Sequence, residues 1–176
     1  MLRFTHWARA FEVNSADASN ELALRNTAPP DRLGQHPYRS PSVFNFYRPG
    51  YIAPGTSTGN AGLTAPELQI VNASSIVGYA NFLSAYLLGA TPQVDRNAPR
   101  SFVSDYDAEV ALEEDVGALL DHLDLLLTHG ELQAETRARI TDALDVIPAA
   151  NAEDRQNRVR LAILMVMTSP EYIVLR

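Results

Sequence analysis

A chain of 176 residues, 46% hydrophobic and 20% charged, is long enough for one domain with a real core and is globular in composition. Its formal net charge of -7, from 21 acidic and 14 basic residues, argues against nucleic acid as a partner, because phosphate binding needs a concentrated basic face. Every basic residue is arginine and cysteine is absent, which rules out a lysine Schiff base, a phosphate-loop lysine, disulfides, thiolate metal sites and a thiol nucleophile in this chain.

Phe4, Trp7, Ala8 and Phe11 recur at i, i+3, i+4, i+7 and predict a helix over residues 2–11. No secretory leader is expected there, since Arg3, His6 and Arg9 interrupt any apolar run. Ser15 or Asp17 can cap a second helix reaching about residue 26, which Pro29 and Pro30 would stop. A long loop, residues 29–63, follows. Between Gly34 and Gly55 it packs four prolines and six aromatic or histidine rings around two charges, both arginines. A plain connector gains nothing from such apolar content, so an ordered, partly buried loop is expected, with residues 54–62 as its mobile tip.

Thr64, Pro66 and Glu67 form a helix start, with a capping hydroxyl, proline in the first turn and a carboxylate at the positive end of the dipole. The central helix is expected to run from there to residue 88, with Gly89 as its stop. Leu68, Val71, Ile76, Tyr79, Phe82, Leu83, Tyr86 and Leu87 lie on its apolar face, beside a small-residue strip of Ser74, Gly78, Asn81 and Ala85. The uncharged stretch 68–94 is long enough to span a membrane, but Gln69, Asn72 and Asn81 would sit at a depth where amides are costly, so no membrane span is expected. After an irregular stretch with Pro92 and Pro99, helices are expected over residues 108–129, 134–147 and 152–167, with a short turn after Ser169. Val116, Leu119, Leu120, Leu123, Leu126 and Leu127 mark the inward side of the first, Ala138, Ile140, Leu144 and Ile147 that of the second, and residues 161–167 of the third are apolar on all sides and expected to be buried all round. Gly130 is the left-handed cap and Asn151 caps the last long helix. No strand is expected, since prolines bracket the weakly alternating Val43 to Tyr47. The fold class is all-α: one compact helical domain, residues 1–176, of about six helices with a long ordered proline- and aromatic-rich loop.

Arg32-Leu33-Gly34-Gln35, followed by Arg39-Ser40-Pro41-Ser42-Val43-Phe44-Asn45-Phe46-Tyr47-Arg48-Pro49-Gly50-Tyr51, resembles the C-terminal part of the bacterial family called domain of unknown function 1800. The first helix, the stretch Leu63-Thr64-Ala65-Pro66-Glu67-Leu68-Gln69-Ile70, the run Leu123 to Gly130 and the closing Ser169-Pro170-Glu171-Tyr172 fit the same family. The resemblance implies that longer relatives carry these motifs in roughly their last third, so that Met1 falls in mid-family. It also implies an exported protein, periplasmic or extracellular, and a missing N-terminal half or a separate protein as the partner.

Arg39, Asn45, Arg48, Tyr51 and Glu67 are the candidate binding residues. Two arginines, an amide and a phenol on one loop could hold an anion or a sugar, with Glu67 as acid or base. The structural alternative, which is favoured, has these groups satisfying loop backbone and helix ends. Phe44, Phe46 and Tyr47 form a candidate interaction patch. No metal site or cofactor is expected: His122 and His129 are too far apart on one helix to share an ion, His122 with Asp121 or Asp124 reads as a solvated acidic face, and no glycine-rich phosphate loop is present. The serines show no nucleophile elbow. Two functions remain open. One is a scaffold or interaction module without catalysis of its own, which is favoured; the other is part of an extracellular hydrolase with its site near residues 39–67.

Overall fold

The computed structural model describes residues 2–15, 27–29, 32–36, 38–87 and 102–173. The second helix expected before residue 26 and the proline-bearing stretch with Pro92 and Pro99 lie outside them, as does Gly89. Helices dominate the described residues: α1 (Leu2–Ala10), α2 (Ser57–Asn60), a 3-10 turn (Pro66–Ile70), α3 (Ala73–Leu87), α4 (Asp107–Leu112), α5 (Val116–Leu123) with a π turn (Asp124–Thr128), α6 (Ala134–Asp145), α7 (Ala152–Thr168) and α8 (Pro170–Ile173). The fold is all-α. Its one sheet among the described residues is an antiparallel pair of two-residue strands, β1 (Asn14–Ser15) and β2 (Phe102–Val103), with Asn14 opposite Val103 and Ser15 opposite Phe102. No period-two pattern announces strands this short. The contacts divide the chain into two compact units, Leu24–Phe82 with Met1, and Leu2–Ala23 with Leu83–Arg176.

The larger unit holds the apolar core. α7 packs against α4, α5, α6, α8 and the π turn. Its Val159, Ala162, Ile163, Val166 and Met167 are fully buried, as are Leu120, Leu123, Leu127 and Leu144 from the helices around it. Asn151 caps α7 as its spacing predicts: Oδ1 accepts from Asp154 N–H at 2.9 Å and Nδ2 donates to Asp154 Oδ2 at 2.8 Å. α1 is anchored by Phe4 and Trp7, both buried, with Phe4 edge-on to Tyr86 at 4.9 Å. Trp7 Nε1 donates to the Tyr106 hydroxyl at 3.2 Å, and the Tyr172 hydroxyl donates to the Arg3 carbonyl at 2.5 Å. Both phenols are buried, which pushes their pKa values above the ordinary range.

Three expected elements come out differently. The helix over residues 108–129 is two helices, because Asp115 takes an extended conformation and its carboxylate accepts from Ala118 N–H at 3.0 Å, restarting the helix. The central helix begins as a 3-10 turn, Val71 is extended, and Asn72 starts α3 with Ser75 in a reciprocal capping box, each backbone N–H bonded to the other's side chain at 2.9 Å. Thr64 therefore caps nothing described, and Val71 and Ile76 from the expected apolar face are exposed. At the end of the π turn the left-handed conformation begins at His129 (φ 59°), one residue before Gly130 (φ 84°). Ala138, expected inward on α6, is exposed.

The smaller unit is built from turns more than from core. Buried Thr27 ties residues 27–36 together: its hydroxyl donates to the Gln35 carbonyl and its N–H to His36 Nδ1 at 3.3 Å. The expected mobile tip, residues 54–62, contains a short capped helix. Thr56 Oγ1 accepts from Gly59 N–H at 3.0 Å and donates to the Ala53 carbonyl at 2.8 Å. This closure demands glycine, since a Cβ at Gly59 would lie 1.9 Å from the Ala53 oxygen.

Candidate functional site

Residues 42–51 run as consecutive turns, with Asn45 N–H bonded to Ser42 O at 3.1 Å and Tyr51 N–H to Arg48 O at 3.0 Å. Ser42 and Asn45 also form an isolated antiparallel bridge. Asn45 adopts the left-handed region (φ 64°), which asparagine tolerates better than most residues. Tyr38 adopts it too (φ 60°), a strained conformation for a bulky side chain.

Two contacts pin this run to the segment carrying Glu67. Gln69 Oε1 accepts from Arg48 N–H at 2.7 Å, and Ala65 N–H donates to the Tyr51 carbonyl at 2.8 Å. The structure thus brings the backbone of Arg48 and Tyr51 beside the 3-10 turn of Glu67, whose side chain is not among those described. Arg39 and Asn45 have no such link. Arg39, Asn45 and Arg48 are exposed, and their side chains make no hydrogen bond or ion pair among the described residues. Gln35 Nε2 donates to the Tyr47 hydroxyl at 2.5 Å, which holds the Tyr47 ring against its own loop.

The rings divide in two. Phe46, Tyr47 and Tyr51 are half-buried, whereas Tyr38, Val43 and Phe44 are exposed at 106%, 95% and 59%. The expectation of a partly buried loop holds for the first group and fails for the second. Ile52 and Leu63 are exposed as well.

The larger unit contains buried charge that the sequence reading missed. Glu109 on α4 and Glu113 just after it are buried, 4% and 1% exposed. Glu109 Oε1 meets His122 Nε2 at 2.7 Å, and Glu113 Oε1 is bonded to Arg158 Nη1. Glu113 Oε2 and Arg158 Nε have no hydrogen-bond partner among the described residues. Asp124 is also buried; it accepts from Leu132 N–H at 2.9 Å, from the Thr128 hydroxyl, and from Arg137 at 3.0 Å. The solvated face read for His122, Asp121 and Asp124 is therefore correct only for exposed Asp121. The available signal was spacing: residues 109 and 113 lie on the helical stripe that continues to Leu120 and Leu127. These groups bind one another, so they satisfy charge within the core.

A cleft of about 330 Å³ opens in the same unit, lined by Glu12, Asn14, Val103, Ser104, Asp105, Tyr106, Asp107, Gln156 and Arg160. Glu12 reaches it from a left-handed residue (φ 45°) just after α1. Arg160 is engaged by amides of its own helix, at 3.3 Å from Asn157 and 3.5 Å from Gln156. Among the described residues no group of three or more His, Asp or Glu side chains is placed to hold a metal ion, and no helix is long and apolar enough to cross a membrane.

No curated protein and no solved structure matches this chain. The model of a family described as protein of unknown function (DUF1800) matches residues 1–174, which agrees with the motifs of the 32–51 loop and the closing Ser169-Pro170-Glu171-Tyr172; the chain belongs to the DUF1800 family.

Proposed function

We propose that the chain is a helical scaffold or protein-interaction module whose contact surface is the aromatic, arginine-bearing stretch of residues 38–52. The observation that carries this reading is the exposure of Tyr38, Val43, Phe44 and Ile52 in a stretch that also holds two arginines without an ion-pair partner among the described residues, and no carboxylate. Isolated surface apolar residues need no explanation, but several in one short loop do. Aromatic rings and arginine are also the side chains most enriched where proteins bind one another. The strained backbone at Tyr38 adds support, since such strain concentrates at binding segments. A further part of a longer family member, or a separate protein, would serve as the partner. Export from the cell belongs to the same proposal, on the family resemblance alone, and fractionation of the producing organism tests it.

A hydrolase with Arg39, Arg48 and Glu67 in its site finds less support. Catalytic charge works in a concave, water-poor site, and the two arginines are exposed.

The test substitutes Phe44→Ala and Phe46→Ala together. Recovery of partner protein from the producing organism should fall by about tenfold, the equivalent of roughly 1.4 kcal/mol. Soluble yield and the melting temperature of the larger unit should stay unchanged. Equal recovery by wild-type and variant chains overturns the reading.

A further inference from the structure

Within the larger unit, three rings from three separate elements are stacked. The half-buried His6 ring of α1 lies 5.8 Å from that of His129, just after the π turn, and 5.8 Å from that of Tyr172 on α8, within 19° and 15° of parallel. The charged side chains acting on His6 among the described residues are all cationic: His129 from the π turn, and Arg3 and Arg9 from its own helix. The Arg3 guanidinium also lies 4.8 Å from the centre of the Tyr172 ring. The carboxylates of the facing elements are engaged elsewhere, Asp124 with Arg137 at 3.0 Å and Glu171 with the Thr136 hydroxyl at 2.8 Å. No carboxylate among the described residues forms an ion pair with His6.

We infer that this stack is an acid-released latch: as His6 and His129 take up protons, α1 lifts from the bundle and uncovers Phe4 and Trp7, while α5, α6 and α7 stay packed.

Protonation places two cations on stacked rings, with two arginines close by. The face of Tyr172 and the Leu126 carbonyl favour the charged His6 ring. Burial and then the three cationic neighbours oppose it and prevail, so the docked ring holds its proton less readily than a free one. A released α1 takes up the proton at the ordinary value of 6.5. Docking is therefore complete above about pH 6.5 and weakens as pH falls through the lower, docked value.

The release is local because of how the unit is packed. The chief neighbour of α1 is the π turn, whereas α7 gathers α4, α5, α6, α8 and the π turn around a core of its own. At neutral pH the buried Phe4 and Trp7 rings hold α1 in place, with the Trp7 bond to Tyr106 and the Tyr172 bond to the Arg3 carbonyl.

The experiment follows amide exchange of the full chain at about pH 7.5 and about pH 5, a range in which ordinary carboxylates stay ionised and histidines titrate. After correction for the intrinsic pH dependence of exchange, protection of α1 should fall at least about threefold more than protection of α7. Trp7 is the only tryptophan, so acrylamide quenching of its emission should rise over the same range. His6→Gln, which keeps a donor for the Leu126 carbonyl, should abolish both responses. His129→Asn, which tolerates the left-handed backbone there, should reduce them.

Unchanged protection of α1 in acid overturns the inference, and so does a parallel loss in α1 and α7. An acid response of His6→Gln equal to that of wild type does the same. If His6→Gln leaves α1 unprotected already at about pH 7.5, His129→Asn decides: a smaller acid response than wild type supports the latch, and an equal one overturns it.

Discussion

Replacing Arg158 by methionine should cost this protein a large part of its stability. The guanidinium is the hydrogen-bonding and ionic partner of Glu113, which is 1% exposed, and the Arg158 side chain is itself only 13% exposed. Methionine fills similar volume without charge, so the variant leaves a carboxylate in the core with no countercharge. Breaking a buried pair from one side costs about 3–5 kcal/mol. Against a typical total of roughly 5–15 kcal/mol, that is enough to unfold a marginal domain. At roughly 2–4 °C per kcal/mol for a chain this size, the melting temperature should fall by roughly 6–20 °C. Urea denaturation followed by circular dichroism at neutral pH measures the loss directly. Glu113→Gln combined with Arg158→Met should recover most of it, because the orphaned charge is then gone. The recovery should be marked here, since the native pair is itself incomplete, with Glu113 Oε2 and Arg158 Nε unbonded among the described residues. A single variant within about 1 kcal/mol of wild type would refute the reasoning. So would a double variant less stable than either single one.

Gly59→Ala should open the 53–63 turn, because its Cβ would collide with the Ala53 oxygen; the cost of such overpacking is about 1–3 kcal/mol. Faster amide exchange confined to residues around Thr56 and Gly59 is the expected result, and unchanged exchange there would contradict the close approach. Acid should weaken the docking of α1. His6 stacks between Tyr172 and His129, with ring centroids 5.8 Å from each, and burial, then the neighbouring His129, Arg3 and Arg9 charges, hold its pKa below the ordinary 6.5. The Leu126 carbonyl, which accepts from the ring, acts the other way. A depressed folded value means that the unfolded chain takes up the proton first. The His6 contribution is therefore present above about pH 6.5 and is lost as pH falls through the folded value. Melts at about pH 7.5 and about pH 5 should diverge more for wild type than for His6→Gln, and parallel shifts in the two proteins would exclude this origin.

The sequence by itself determined the helical class, the anchor residues of α1, the buried leucines of α5, Ile140 and Leu144 of α6, and the Asn151 cap. All of these depend on interactions within a few residues, and those are encoded in local spacing and short polar side chains. It also carried the family, through the Ser-Pro-Ser-Val-Phe-Asn-Phe-Tyr-Arg-Pro-Gly-Tyr run at residues 40–51. Only the tertiary structure decided where the breaks fall, because Asn72 and Asp115 are polar residues inside apparently continuous patterns, and a cap competes with helix continuation through geometry that spacing does not record. It alone decided which groups pair with Glu109, Glu113 and Asp124 inside the core, since their partners His122, Arg158 and Arg137 come from other helices. And it alone separated exposed Phe44 from half-buried Phe46 and Tyr47. A proline-rich segment without a repeating period leaves the direction of each ring to its turns and to contacts distant along the chain, and composition holds no trace of either.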